Sequence, residues 1–241
     1  MNAQPNLSAT AFLIADAARA AMLMALADGR ARPAGELAYA AGVTPQTASS
    51  HLAKLLDGGL VVVEKQGRHR YYRLADPQVA LALESLASIG KPPTVRRKAP
   101  SRDAEKLRFA RCCYDHLAGK VGVAITHTLT ARGFLAAAPD KRFEVTDAGR
   151  TWLRTLGLDI DATRPGRYGI ARQCLDWTER QHHLAGPLGV ALLELLCTKG
   201  WLMRNRASRS VQITPEGWTG LRQQFGLTPD AIEHVGEESV G

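Results

Sequence analysis

Two groups of side chains have the types and spacing to do chemistry. Thr44, Gln46, Thr47, Ser49, Ser50, His51 and Lys54 interleave with apolar Val43, Leu52, Leu55 and Leu56. Short hydroxyl and amide side chains on one face of a helix are the donors and acceptors that read base edges and hold phosphates in a major groove. The second group comprises Cys112, Cys113 and His116, then Cys174, Asp176, Trp177, His182 and His183. Thiols, imidazoles and an acid can share a metal ion or a redox event, or line a pocket for a small polar or aromatic ligand. On helical spacing Cys112, Cys113 and His116 stand one turn apart. Yet no paired Cys-x-x-Cys zinc pattern is present, and buried cysteine commonly acts as a small hydrophobe. Packing is thus the first reading of this group, an effector pocket the second, and metal or thiol sensing the third. The expected metal and cofactor complement is none.

The elements that must position the first group are legible around it. A short helix from about Pro33 ends at Gly42, a residue type suited to the left-handed conformation of a helix C-terminus. Thr44 can cap the next helix, with Pro45 in its first position, where a missing N–H costs nothing. Gly58-Gly59 stops that helix, and Leu60–Glu64 reads as a strand. Lys65-Gln66-Gly67-Arg68 reads as a turn, and His69–Leu74 as the returning strand. Lys65, Arg68, His69 and Arg70 make the hairpin tip cationic, fit for a phosphate backbone or a minor groove. Helix, glycine turn, polar helix and basic hairpin in this order spell a winged helix-turn-helix. Leu7–Ala27 reads as one preceding helix and Pro77–Ile89 as a closing one.

Over residues 7–90 the chain resembles the ArsR-type winged-helix regulators. The resemblance rests on Leu37-Ala38, on Ser49-Ser50-His51-Leu52, on Leu55 through Val61, and on Gly67-Arg68 followed by Tyr71-Tyr72. It implies a homodimeric repressor on a near-palindromic operator, released when an effector binds. It also implies that Ser49, Ser50 and His51 face the major groove, that Arg68 and Arg70 serve the wing, and that the first helix helps form the dimer. Many relatives hold metal through cysteines in the helix before the recognition helix, or through His and carboxylates in the last helix of the domain. Here Glu36–Ala40 has no cysteine and Pro77–Ile89 has neither Cys nor His, so that part of the family description does not carry over.

The chain is longer than one such domain. Its 241 residues exceed the roughly 90 of a small winged helix, so a second module is expected. The expected division is 1–90 for DNA binding, 91–100 as a basic Pro-containing linker, 101–228 as an effector and dimerisation module, and 229–241 as an acidic flexible tail. The net charge of +8 favours polyanionic partners. It is denser in front: residues 1–100 carry 12 cations against 7 acids, and residues 101–241 carry 19 against 16. No apolar run approaches 18 residues, so no membrane partner is expected. Asp16 and Arg19 make the alanine-rich start a poor signal peptide, and a cytoplasmic setting with reduced thiols is expected. Enzyme signatures are missing: there is no phosphate loop, no Gly-x-Ser-x-Gly elbow and no His-Glu-x-x-His helix. A non-enzymatic regulator is the leading reading. A winged helix used for protein contacts, or a thiol- or metal-responsive regulator using Cys112, Cys113 and Cys174, are the alternatives.

The second half repeats itself. His116-Leu117-Ala118-Gly119 recurs as His183-Leu184-Ala185-Gly186, an offset of 67. At the same offset Arg132-Gly133-Phe134-Leu135 matches Lys199-Gly200-Trp201-Leu202, and one residue later Val145-Thr146 matches Ile213-Thr214. Each copy echoes the first module: an apolar helix, Gly plus a bulky apolar residue, then a hairpin. The expected fold is therefore mainly α with small β-hairpins (α+β), a winged helix-turn-helix followed by two degenerate winged-helix-like repeats. The positions of Gln46, Thr47, Ser49, Ser50 and His51 become Lys120, Val121, Val123, Ala124 and Ile125, then Pro187, Leu188, Val190, Ala191 and Leu192. Helices apolar on nearly every face are buried rather than groove-exposed.

Overall fold

The computed structural model describes residues 7–66, 69–89, 102–166, 169–205 and 208–234. Two compact units result, Met1–Glu84 and Ser85–Gly241. The division falls inside the helix Pro77–Ile89 rather than after it, and the expected linker 91–100 lies outside the described residues.

In the first unit, α1 (Leu7–Ala15) and α2 (Ala17–Ala25) meet at 90°. The single helix expected over Leu7–Ala27 is broken by Asp16 and Arg19. Asp16 is extended and its carboxylate accepts the Arg19 N–H at 2.9 Å, capping α2. The Arg19 guanidinium turns back and donates to the Leu13 and Phe12 carbonyls at 2.7 and 2.8 Å, satisfying the end of α1. A two-residue strand, β1 (Arg32–Pro33), leads into α3 (Ala34–Ala41), which ends at left-handed Gly42. Thr44 caps α4 (Pro45–Asp57) through the Thr47 N–H. Strands β2 (Val61–Gln66) and β3 (His69–Leu74) follow, then α5 (Pro77–Ile89). β2 runs two residues further than the sequence suggested, since Lys65 and Gln66 pair with Arg70 and His69. β1 joins the other edge of β3, giving the order β1-β3-β2. Met22, Leu23, Leu26, Leu37, Leu52 and Leu55 are fully buried at the centre.

The second unit opens with α6 (Arg102–Phe109) and then builds the same motif twice. The first copy is β4 (Arg111–Cys113), β5 (His116–Ala118), α7 (Gly119–Ala131), β6 (Leu135–Ala138), β7 (Arg142–Val145) and α8 (Asp147–Leu156). The second is β8 (Ala171–Leu175), β9 (His182–Ala185), α9 (Gly186–Thr198), β10 (Leu202–Arg204), β11 (Val211–Ile213) and α10 (Pro215–Phe225). Helix, glycine, hairpin and helix keep the order of the first unit. Gly59, Gly133 and Gly200 share φ near 70°, at 69°, 69° and 70°. Ahead of that helix, where the first unit has α3, each copy has a hairpin instead.

The copies exchange contacts. Gln173 N–H donates to the Lys141 carbonyl at 2.7 Å, so β8 extends the first copy's second hairpin into a sheet β6-β7-β8-β9. Reciprocally, Cys112 N–H donates to the Arg209 carbonyl at 2.8 Å and Val211 N–H to the Ala110 carbonyl at 2.9 Å. α7 packs on β9 and α9 on β5. Val121, Ile125 and Leu129 share one core with Leu188, Leu192 and Leu196, so the two apolar helices are buried within one chain. The tail does not fray at 229. Thr228 caps α11 (Pro229–Glu233), and Ile232 is fully buried in that core, which holds the segment down. Residues 235–241 lie outside the described residues.

Candidate nucleic-acid interface and a buried cysteine–histidine cluster

Helix α4 is anchored by Ala48, Leu52 and Leu55, all fully buried. That face leaves Thr44, Gln46, Thr47, Ser49, Ser50 and Lys54 exposed together. The Thr47 hydroxyl is 2.9 Å from that of Thr44, and the Ser49 hydroxyl donates to the Pro45 carbonyl at 3.0 Å. Within the described residues the Gln46, Ser50 and Lys54 side chains make no hydrogen bond, so their donors and acceptors face solvent. His51 differs from the expectation. It lies three residues after Ala48 and four before Leu55, so its direction falls at the edge of the buried face. Its Nδ1 is 3.7 Å from Asp16 Oδ1, with the side chain 16% exposed. The Arg19 N–H holds the Asp16 carboxyl below the usual carboxylate range, aided by the Arg19 and His51 charges.

In the wing, Arg73 is ion-paired with Glu64, while Lys65 and Arg70 are exposed. These two cations stand directly opposite each other across the ladder. Like charges in that arrangement disfavour the hairpin, a cost that a polyanion lying along it would remove. His69 ends the ladder opposite Gln66. Arg68 lies outside the described residues.

The second group is rearranged by the strands. Cys112, Cys113 and His116 are on a hairpin rather than a helix, turned by Tyr114-Asp115 with Tyr114 at φ 60°. Strand alternation sends Cys112 into the apolar core, opposite Leu117, and sets Cys113 opposite His116. In the second copy Cys174 stands opposite His183. Neither histidine caps a helix. Ala118 and Ala185 hold the N-cap positions of α7 and α9, with no side-chain cap bond. Instead the two cross-strand pairs meet. Sγ of Cys113 and Cys174 are 3.9 Å apart, and Nε2 of His116 and His183 are 3.0 Å apart. All four ligand atoms lie within 4.8 Å of one another, and all but Cys174 belong to buried residues. Neighbouring His182 is exposed, and Cys197 sits on α9 outside this cluster.

Carboxylates stand behind both imidazoles. Asp115 Oδ1 is 3.0 Å from His116 Nδ1, and Asp176 Oδ2 is 3.6 Å from His183 Nδ1. Burial works against charge on His116, but the Cys113 sulfur and the Asp115 carboxylate raise its pKa to about 9. Asp176 is fully buried in a network of its own. It pairs with Arg111 at 3.0 Å, and accepts the Gly119 N–H and the Thr178 hydroxyl, each at 2.7 Å. Burial opposes its charge, yet Arg111, His183 and these donors hold its carboxyl far below the usual range. Trp177 covers the Arg111 guanidinium at 4.8 Å. The dense stretch Cys174–His183 is thus a loop folded around its own acid, with Cys174 and His183 turned to the other copy. The sequence held a signal for this: two residues separate Cys113 from His116 and eight separate Cys174 from His183. That six-residue difference hid the cysteine equivalence from a fixed offset.

Comparisons with known proteins match the first unit in sequence. The family HTH_20, a helix-turn-helix domain, matches residues 14–64. The uncharacterized HTH-type transcriptional regulator YdfF of Bacillus subtilis is 47% identical over 223 residues, covering 92% of this chain and 98% of that protein. The HTH-type transcriptional regulator CmtR of Mycobacterium tuberculosis is 37% identical over 99 residues, 39% of this chain and 83% of that one. Among solved structures, the cadmium metal-sensor CmtR of M. tuberculosis aligns over 40% of this chain and all of its own, at 34% identity and a TM-score of 0.32. The homodimeric winged helix-turn-helix domain of Mb0332 from Mycobacterium bovis, a possible ArsR-family regulator, aligns over 37% and 89% at 28% identity and a TM-score of 0.33. No single helix among the described residues is long and apolar enough to cross a membrane.

Proposed function

The chain belongs to the HTH-type transcriptional regulators, and from its resemblance to the ArsR-type winged helices we propose a homodimeric repressor that leaves its operator when the second unit receives a signal. The observation that carries this reading is the exposed row Gln46, Ser50 and Lys54 on α4, beside a wing whose Lys65 and Arg70 oppose each other. A pair of such helices, one per protomer, fits successive major grooves of a near-palindromic site, with the wings on the flanking backbone. Support for the dimer comes from α1, which buries no residue of its own and leaves Leu7 and Phe12 77% and 72% exposed. The duplicated second unit has its recognition-equivalent helices in its core, which leaves it free for sensing. Coupling of that kind is typically worth about 1–3 kcal/mol.

The test is fluorescence anisotropy against DNA from upstream of its own gene, with salt varied. Each good base contact contributes about 1–3 kcal/mol of discrimination. Gln46→Ala with Ser50→Ala is therefore expected to lower specific affinity at least about tenfold while leaving non-specific binding at low salt unchanged. Equal affinity of the double variant for the operator overturns the assignment of α4. No salt-dependent binding by the wild type overturns the operator reading itself.

A further inference from the structure

We propose that Cys113, His116, Cys174 and His183 form a four-coordinate site for a thiophilic divalent cation of the zinc class, seated where the two repeats of the second unit meet. It stands on the geometry of that unit alone and does not depend on the operator reading.

The distances fit such an ion. Zinc binds thiolate at about 2.3 Å and imidazole at about 2.0–2.1 Å, so a tetrahedron has S···S edges of about 3.8 Å and N···N edges of about 3.4 Å. The corresponding separations are 3.9 Å between the sulfurs and 3.0 Å between the Nε2 atoms, and the whole set spans no more than 4.8 Å. Small movements of the rings bring both edges to the required values. Two sulfurs and two imidazole nitrogens also form the donor set that selects zinc-like ions over magnesium or calcium.

The surroundings fit as well. A metal-bound histidine usually gives its other nitrogen to a carboxylate, which fixes the tautomer and aims the free nitrogen at the ion. Asp115 stands behind His116 at 3.0 Å and Asp176 behind His183 at 3.6 Å, so in both rings Nδ1 faces the acid and Nε2 faces the other copy. Asp176 is itself fixed by Arg111, Thr178 and the Gly119 N–H. Without an ion, the facing Nε2 atoms can share at most one proton, in a place where His116 and His183 are 2% and 0% exposed. Cys174 is only partly buried and gives an ion its way in. Each hairpin supplies one thiol and one imidazole from directly opposed positions, so an ion here ties the repeats together as a symmetric clasp.

The experiment uses the full chain, reduced and stripped with chelator, titrated with Co²⁺ and then with Cd²⁺. One equivalent per chain is expected, with thiolate-to-metal charge-transfer absorption and, for Co²⁺, the intense visible bands of tetrahedral coordination. Cys174→Ser and His183→Gln are each expected to weaken binding at least about a hundredfold, and Cys197→Ser to leave it unchanged. Should either ligand variant misfold by circular dichroism, Asp115→Asn at the half-buried turn serves in its place, with an expected loss of about tenfold. Absence of the charge-transfer band overturns the proposal. So does binding that survives Cys113→Ser with Cys174→Ser. So does a chain that forms a Cys113–Cys174 disulfide under mild oxidant yet takes up no ion when reduced.

Discussion

At the residue scale, two acids named by the sequence do work that only the structure reveals. Asp176 is the counter-charge of fully buried Arg111, and removing one partner of such a pair typically costs about 3–5 kcal/mol. Asp176→Asn is expected to destabilise the second unit by about that amount in urea unfolding. A loss under about 1 kcal/mol would show that Arg111 is held by other groups. Asp16, a charge that makes the alanine-rich start a poor signal peptide, caps α2. Its folded pKa is depressed, so its contribution is full above the ordinary carboxylate pKa and is lost as pH falls through the lower folded value. Asp16→Asn keeps the cap but not the titration. The stability gap between wild type and this variant is therefore expected to shrink between neutral pH and about pH 3. A gap that widens on acidification overturns the assignment. The exposed polar face of α4 was legible because polar and apolar positions separate at helical spacing. The inward lean of His51 was not, because it depends on a carboxylate 35 positions earlier in the chain.

At the element scale, the winged unit was readable almost to its ends. Gly42, Thr44-Pro45 and Gly58-Gly59 are local stop and start signals, and local signals survive without tertiary knowledge. The hairpins β4–β5 and β8–β9 were not readable. Their strands are three to five residues long, show no alternation of buried and exposed positions, and are fixed by hydrogen bonds to segments far along the chain, such as Cys112 N–H to the Arg209 carbonyl. The matched threonines Thr146 and Thr214 each open a Thr-x-x-Gly corner. Thr146 and Thr214 cap Gly149 and Gly217, while donating to the Gly133 and Gly200 carbonyls at 2.7 Å in both copies. A methyl on Gly217 would stand 2.0 Å from the Trp201 carbonyl, so Gly217→Ala is expected to cost about 3 kcal/mol, seen as a lowered Tm. An unchanged Tm would mean that α10 shifts freely. In the wing, Arg70→Ala is expected to weaken binding to all DNA sequences alike and to reduce the slope of log K against log salt by about one. A sequence-selective loss would instead place Arg70 on a base.

At the scale of the whole molecule, composition and repeat period indicated two modules and an internal duplication, and the second module carries that duplication as a single exchanged core. The offset did not say which copy's hairpin would pair with which, because that choice is made by helices packing on strands of the other repeat. For the first unit, the exposed apolar side of α1 makes a specific prediction. Phe12→Glu is expected to yield a monomer by sedimentation and to lower operator affinity by at least about tenfold while α4 stays folded. A Phe12→Glu protein that remains dimeric would place the dimer contact elsewhere.

The reciprocal pairing of the two copies also has a consequence for mass action. Dilution separates subunits, and any property built across subunits fades with it. Cys113 and Cys174 belong to one polypeptide, so the meeting point of the two hairpins behaves as if each half were held at a high and constant local concentration. A ligand taken up there saturates at the same free concentration whether the protein is scarce or abundant, whereas occupancy of a two-fold DNA site by the proposed dimer would rise and fall with the number of copies.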